Sequence, residues 1–365
     1  MTERILTIRE LNRATLARQM LLDRETLPVA DAVARLVGLQ AQVVSPPYVG
    51  LWTRLRDFRR EDLTNALEER LVVRVAMMRS TLHLMTAEDY LLLRPVLEPA
   101  LIRALKAFFG KRAEGFDAER LVGAARTWLE EEPRTQGEFR ALLSGLEPDQ
   151  DPAAMSYAVR AYLPMAQVPS GGRWGYSNRP PYALAESWLG RPVSGPQDLR
   201  DLVLRYLAAF GPATVADVQA WSGLVRLKDR IRDLAPDLRV FRDEDGKELF
   251  DAPDAPLPPP NTPAPVRFVP DYDNLVLSHA DRRRVISDEH RKFVFLSAGR
   301  VRATFLVDGF VTGTWKLEKS RGIVTLMIEP FETLSRTTRE ALIEEGERLA
   351  RFVESEARAF EVRFT

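Results

Sequence analysis

Helical periodicity dominates the first part of the chain and strand-like alternation the last third. In "DRETLPVADAVARLVGLQ" the apolar residues Leu27, Val29, Ala32, Val33, Leu36 and Val37 recur at helical spacing. "REDLTNALEERLV" repeats that spacing at Leu63, Ala66, Leu67 and Leu71. "VVRVAMMRSTLHLMT" then reads as extended chain, rich in β-branched residues and alternating through Leu82, His83 and Leu84. The alternation puts His83 with Thr81 on the face opposite the leucines, as a solvent-facing or hydrogen-bonded strand residue. Near the end, "KFVFLSAGRVRATFLVDGFVTGTWKLEKSRGIVTLMIEPF" predicts several short strands. Their turns fall at Ala298-Gly299, Asp308-Gly309 and Ser320-Arg321-Gly322, the pattern of a small barrel or twisted sheet. "TTREALIEEGERLARFVESEA" predicts a closing helix.

The middle contains a weak internal repeat. "PRTQGEFRALL" begins at Pro133 and "PATVADVQAWS" at Pro212, aligning Thr135 with Thr214 and Glu138 with Asp217. Thr-x-x-acid is a capping-box pattern, in which the hydroxyl accepts from a free helix N–H and the acid reaches back to the cap. Each copy follows a helical stretch, "ERLVGAARTWLEE" or "RDLVLRYLAAF", and precedes a further helix, "AAMSYAVRAYLPM" in the first copy. Each then reaches a hairpin candidate, around Gly171-Gly172 and around Asp245-Gly246. Helix, capped helix, third helix, hairpin is the order of a winged helix-turn-helix. Such units bind DNA through the third helix, and also serve as protein-contact or spacer modules. Between residues 252 and 270 lie 8 of the 25 prolines, which predicts a semi-extended linker.

Composition narrows the classes. At 365 residues, 45% hydrophobic and 28% charged, the chain has ample material for several folded units. No cysteine is present, which removes thiol nucleophiles, cysteine-based metal sites and disulfides. The N-terminal segment mixes charges with no apolar core, and no run is long enough to span a bilayer, so a cytoplasmic protein without a membrane partner is expected. Lys+Arg and Asp+Glu both number 52, which counts against a nucleic-acid binder unless the charges segregate. They segregate in "ALIRALKAFFGKRA", where Arg103, Lys106, Lys111 and Arg112 occur without an acid.

Familiar catalytic motifs are absent. There is no phosphate-binding glycine loop and no nucleophile elbow, and the histidines His83, His279 and His290 are too scattered for a zinc helix. "PDYDNLVLSHADRRR" collects Asp271, Asp273, His279 and Asp281, and reads as a polar loop whose acids cap turns and pair with Arg282 to Arg284; no metal and no cofactor is expected. Tyr48, Trp52, Trp174 and Tyr176 are either core residues or stacking faces for bases. Arg173, beside the Gly-Gly tip, is placed to enter a minor groove. Two amides, Gln40 and Gln42, stand one residue apart just before Pro46-Pro47. If the helix ends near Leu39 and the chain extends, both amides face the same way. They then either satisfy loose backbone groups at a helix end or hold a water or a polar edge between them.

"LNRATLARQMLL", "GLQAQVVSPPYVGLWTRL", "VRVAMMRSTLHLMTAEDY" and "DYDNLVLSHADRRRVI", in that order, resemble the AlkZ-like winged-helix DNA glycosylase family over nearly the whole chain. The resemblance implies an α+β fold, with tandem winged helix-turn-helix domains followed by a C-terminal β-rich, barrel-like domain around a concave DNA channel. The corresponding division is 1–115 with the Gln-x-Gln loop, 116–194, 195–255 and 256–365. It implies hydrolysis of the N-glycosidic bond of N7- or N3-alkylated purines, and for some members the unhooking of interstrand crosslinks. The family's catalytic motif is Gln-x-Gln in one branch and Gln-x-Asp in another, which assigns Gln40 and Gln42 to positioning the attacking water. Thr81 and His83 would line the same pocket or touch the backbone, and Arg79 would contact phosphate. The expected partner is double-stranded DNA carrying alkylated bases, bound by a monomer. Two other readings use the same units, a non-catalytic DNA-binding regulator and a protein-interaction scaffold.

Overall fold

The computed structural model describes residues 4–193, 195 and 198–365. The boundary expected between 194 and 195 falls beside Ser194, Pro196 and Gln197, outside the described residues. The architecture is α+β, with three sheets.

β1 (Ile5–Leu6) leads into α1 (Ile8–Arg18), which Thr7 and Glu10 start with a reciprocal capping box. α2 (Val29–Arg35) ends in a reversal at Val37 and Gly38, with φ of 50° and 87°, and the chain then enters β2 (Leu39–Gln40). A Cβ on Gly38 would strike Met85 Sδ and lie 2.8 Å from the Leu84 carbonyl oxygen, so glycine is required there. α3 (Pro46–Trp52) carries its prolines in the first turn, where the missing N–H has no helical partner anyway. α4 (Arg60–Glu68) buries Leu63, Ala66 and Leu67, the predicted stripe.

The stretch that reads in sequence as one extended run is two strands, β3 (Val72–Ala76) and β4 (Leu82–Thr86). Between them Arg79 and Ser80 take left-handed backbone, with φ of 53° and 58°. Neither residue type favours that region, so the turn leaves no mark in the pattern. α5 (Ala87–Phe109) carries the first half of the basic stretch, and the turn after it the second, where Arg112 pairs with Asp151 at 2.7 Å.

α6 (Ala118–Glu131), α7 (Gln136–Leu146) and α8 (Pro152–Tyr162) precede the antiparallel pair β5 (Met165–Gln167) and β6 (Tyr182–Leu184). The Gly171-Gly172 tip sits in a long loop between these strands rather than in a tight turn. After α9 (Ala185–Leu189) the order recurs as α10 (Leu199–Phe210), α11 (Val215–Ser222), a short α12 (Lys228–Asp233) and the hairpin β7 (Arg239–Asp243) and β8 (Glu248–Asp251). Both predicted capping boxes are present, Thr135 with Glu138 and Thr214 with Asp217.

The proline-rich segment ends in β9 (Arg267–Val269), an edge strand, the one sheet position that tolerates flanking prolines. α13 (Asn274–Leu277) and α14 (Asp288–Val294) come next. The latter takes Lys292, Phe293 and Val294, predicted as strand, because Ser287 caps a helix just upstream. β10 (Thr304–Val307), β11 (Phe310–Ser320) and β12 (Ile323–Pro330) form a meander, α15 (Arg336–Val353) crosses it, and β13 (Ala359–Phe364) returns parallel to β12. The sheet order β13-β12-β11-β10-β9 leaves two open edges, so the barrel-like closure does not form among the described residues. Instead α15 covers one face with Leu342 and Leu349. The Asp308-Gly309 and Arg321-Gly322 turns have positive φ at both positions, as their hairpins demand.

Two further sheets tie distant parts together. β1 pairs parallel with β7, and β2-β4-β3-β5-β6 forms one continuous sheet. Two buried bidentate ion pairs act at the same scale: Arg18 with Asp251, and Arg54 with Asp273 at 2.8 and 2.9 Å.

Candidate active site

The middle sheet positions the first glutamine. β2 pairs antiparallel with β4 so that Gln40 stands opposite His83, and directly opposed residues share a sheet face. Gln40 is buried to 8% exposure. Its Oε1 accepts from Arg79 Nη2 at 2.7 Å, while Arg79 Nη1 donates to the Trp221 carbonyl at 2.9 Å. Burial, with the Arg282 cation nearby, lowers the Arg79 pKa to about 10, which still leaves it charged at neutral pH.

His83 is fully buried, not solvent-facing. Its Nδ1 lies 3.1 Å from the Thr81 carbonyl oxygen, which can only accept, so Nδ1 carries the hydrogen. Nε2 is then a bare acceptor, buried without a partner. Burial, aided by the Arg79 charge, pushes the imidazole pKa down to about 3, so the ring is neutral.

Beyond Gln40 the chain bends. The Ala41 N–H donates to the Leu82 carbonyl at 2.7 Å, and the exposed Gln42 accepts at Oε1 from the Leu82 N–H at 3.4 Å. Arg74, from β3, grips the bend. Its Nε and Nη2 donate to the Ala41 carbonyl at 2.9 and 2.7 Å, and Nη2 also reaches the Gln42 carbonyl at 3.2 Å. Its Nη1 donates to Gln167 Oε1 at 2.7 Å, and Gln167 Nε2 donates to Tyr182 Oη at 2.8 Å. A hydrogen-bonded chain therefore joins the Gln-x-Gln segment to β5 and β6.

Gln42 opens onto a cleft of about 750 Å³ that Gln40 does not line, so the two amides do not share one exposure. The charged residues lining the cleft are Arg74, Arg140, Arg160 and Arg179, with no carboxylate and no histidine. Trp174, Tyr176 and Tyr182 supply aromatic walls, and Gln136 and Gly137 bring in the first turn of α7. Among the described residues no carboxylate pairs with Arg140, Arg160 or Arg179, and Arg160 Nε is buried without a partner. Arg173, in the same loop as Arg179, does meet an acid, Glu354 at 2.8 Å.

The remaining candidates disperse. Thr81 lies beside the pair, its hydroxyl donating to the Met78 carbonyl at 3.1 Å. Trp174 lines the cleft, edge-on to Tyr48 at 4.9 Å. Tyr48 and Trp52 are core residues, Trp52 sandwiched by Phe352 at 5.8 Å and Arg24 at 4.7 Å, which leaves neither ring open to a base. Arg173 pairs with Glu354 at 2.8 Å, so its charge is already matched. Arg79 meets protein acceptors rather than facing outward. Asp271, Asp273, His279 and Asp281 do not gather: Asp273 caps α13 and pairs with Arg54, while Asp281 pairs with Arg283. Among the described residues no cluster has the makings of a metal site.

The sequence pattern did not reveal the four cleft arginines as a group. Arg74 alone left a signal, a cation within the apolar run Val72-Val73-Arg74-Val75, where burial obliges it to find acceptors.

Fold and cleft together define an α+β protein with a cationic, acid-free recess beside two neutral amides. The profile of the "DNA glycosylase AlkZ-like" family matches residues 33–352, and the chain belongs to that family. It is a DNA N-glycosylase, which sets aside the regulator and scaffold readings. An interstrand DNA cross-link repair glycosylase of Streptomyces sahachiroi is 25% identical over 361 residues, covering 92% of this chain and 93% of that protein. The solved structure of the Streptomyces sahachiroi DNA glycosylase AlkZ has the same fold, with a TM-score of 0.79 at 20% identity, covering 99% of this chain and 100% of that one. Among the described residues no helix is long and apolar enough to cross a membrane.

Proposed function

We propose that this glycosylase hydrolyses the N-glycosidic bond of N7- or N3-alkylated purines in duplex DNA, with Gln40 and Gln42 holding the attacking water and the backbone lying along the arginine-lined cleft. Crosslinks of the kind named for its Streptomyces relative are candidate substrates. The observation that carries the reading is the cleft lining, four arginines with neither carboxylate nor histidine, next to Gln42.

That lining selects the chemistry. Cleavage through an oxocarbenium-like transition state usually enlists paired carboxylates, one protonating the leaving group and one activating water. A purine alkylated at N7 is already cationic and departs without a proton. What remains is to hold water in line with the sugar carbon, and orientation alone supplies a large share of the rate. An amide orients water but is too weak a base to take its proton early. The enzyme should therefore be inert toward normal bases.

We read residues 116–194 as a winged-helix unit that turns several of its elements to the cleft. α8 buries Ala154, Met155, Ala158, Val159 and Ala161 on one face and reaches the cleft through Arg160. The first turn of α7 and the loop between β5 and β6 face the cleft beside it, where arginines and helix-terminal N–H groups suit phosphate.

The test is base release from a duplex carrying one N7-methylguanine, with a nitrogen-mustard crosslink as a second substrate. Gln40→Ala and Gln42→Ala should each reduce release by about a hundredfold or more. Release at the wild-type rate in either variant would overturn the water-holding role of the pair.

A further inference from the structure

A guanidinium has only donors, so the atom of Gln40 facing Arg79 Nη2 at 2.7 Å must be the amide oxygen. Chemistry thus settles an assignment that electron density commonly leaves ambiguous. His83, paired opposite Gln40 on the same sheet face, adds no donor at Nε2 that could compete for the amide oxygen. The Gln40 Nε2 group is the part of the amide with no protein partner among the described residues.

Arg79 is held firmly enough to impose this. It sits in the left-handed turn between β3 and β4, its other arm fixed on the Trp221 carbonyl. Gly223 lies against the Arg79 backbone, and Tyr157 Oη donates to the adjacent Ser80 Oγ at 2.5 Å. At Gln42 the corresponding contact, from the Leu82 N–H, is long at 3.4 Å and leaves its oxygen accepting capacity.

We infer that Arg79 is a positioning residue that fixes the Gln40 amide by its oxygen and leaves its NH2 group free to bind water, so that the two glutamines divide the work: Gln40 donates to the water oxygen and Gln42 accepts a water hydrogen. The second lone pair of the water is then free to attack the sugar carbon. This division of labour rests on the water-holding role proposed for the pair, and it removes Arg79 from the phosphate contacts.

The experiment is single-turnover excision from a duplex with one N7-methylguanine, alongside duplex affinity at several salt concentrations. Gln40→Glu keeps the bond to Arg79 but presents oxygen in place of NH2, and should fall to the Gln40→Ala rate, about a hundredfold down. Arg79→Met should slow the saturated rate about tenfold or more with affinity essentially unchanged, and Arg79→Lys should recover part of it. In a Gln40→Ala background Arg79→Met should add nothing, because its effect passes through the amide. Gln40→Glu retaining full activity would overturn the inference, as would Arg79→Met that weakens binding, flattens the salt dependence and spares the saturated rate. A slow Gln40→Ala with an additive Arg79→Met sinks only this inference, whereas an unimpaired Gln40→Ala sinks the water-holding role itself. Should Arg79→Met fail to fold, Gln40→Glu decides alone.

Discussion

A carboxamide neither gains nor loses a proton under conditions where DNA survives, and the nearest titratable ring, His83, stays neutral because burial holds its pKa near 3. The single-turnover excision rate should therefore be flat from about pH 6 to about pH 9, whereas a working general base would give a limb in that range. A limb near neutrality would point to a titrating group outside the amide pair. The exposed arginines make a separate prediction. Arg140→Ala and Arg179→Ala should each weaken duplex binding and reduce the salt slope by about one, leaving the saturated rate in place. Arg173→Ala, already matched by Glu354, is the control and should change the slope little.

Among the elements, the hairpin of β10 and β11 depends on its turn. Gly309, with φ of 82°, sits against α1, where a Cβ would lie 2.5 Å from Leu16 Cδ1, 2.6 Å from Asn12 Oδ1 and 2.8 Å from Arg13 Nη1. Gly309→Ala combines a left-handed strain with this collision and should destabilise by about 2–4 kcal/mol, read as a lowered urea midpoint. The buried pair Arg54–Asp273 joins the end of α3 to the start of α13. Asp273→Ala strands the guanidinium and should cost about 3–5 kcal/mol. Elements also mark how far the chain could be read. Periodic stretches and capping boxes were legible because they are local: Thr135 with Glu138 and Thr214 with Asp217 announce themselves within four residues. The β3–β4 turn was hidden because Arg79 and Ser80 are held left-handed by Tyr157, Trp221 and Gly223, contacts remote in sequence. The cleft was hidden for the same reason. Arg74, Arg140, Arg160 and Arg179 are spread along the chain and converge only once β3, α7, α8 and the β5–β6 loop pack. Gln40 and Gln42 were legible as a pair through family resemblance, their unequal surroundings only through the fold.

For the whole molecule, stability should depend on acid. His83 and His279 are both held below their ordinary values by burial, His279 donating from Nε2 to the Phe210 carbonyl at 3.0 Å. A depressed folded pKa means the unfolded chain binds the proton first, so the stabilisation is complete above about pH 6.5 and declines as pH falls toward 3. Against its burial, Asp217 is held below the usual carboxylate range by the Arg284 cation and the Thr214 cap, and adds to the decline in the same direction at the acid end. The urea midpoint should drop progressively below about pH 6.5, and His83→Gln, if it folds, should flatten part of that drop; an acid-independent midpoint would contradict it.

One continuous sheet, β2-β4-β3-β5-β6, runs from Gln40 to the wall of the cleft, and Arg74 cross-braces it. Hydrogen bonding across five strands resists hinging, so the Gln-x-Gln segment and the cationic wall form a rigid gauge. A duplex that docks there must yield its own shape, and the energy of doing so depends on how stiff the DNA is around the lesion. Selection would then begin in the mechanics of the nucleic acid, before any bond is broken, with crosslinked and singly alkylated sites sorted by how readily each one bends.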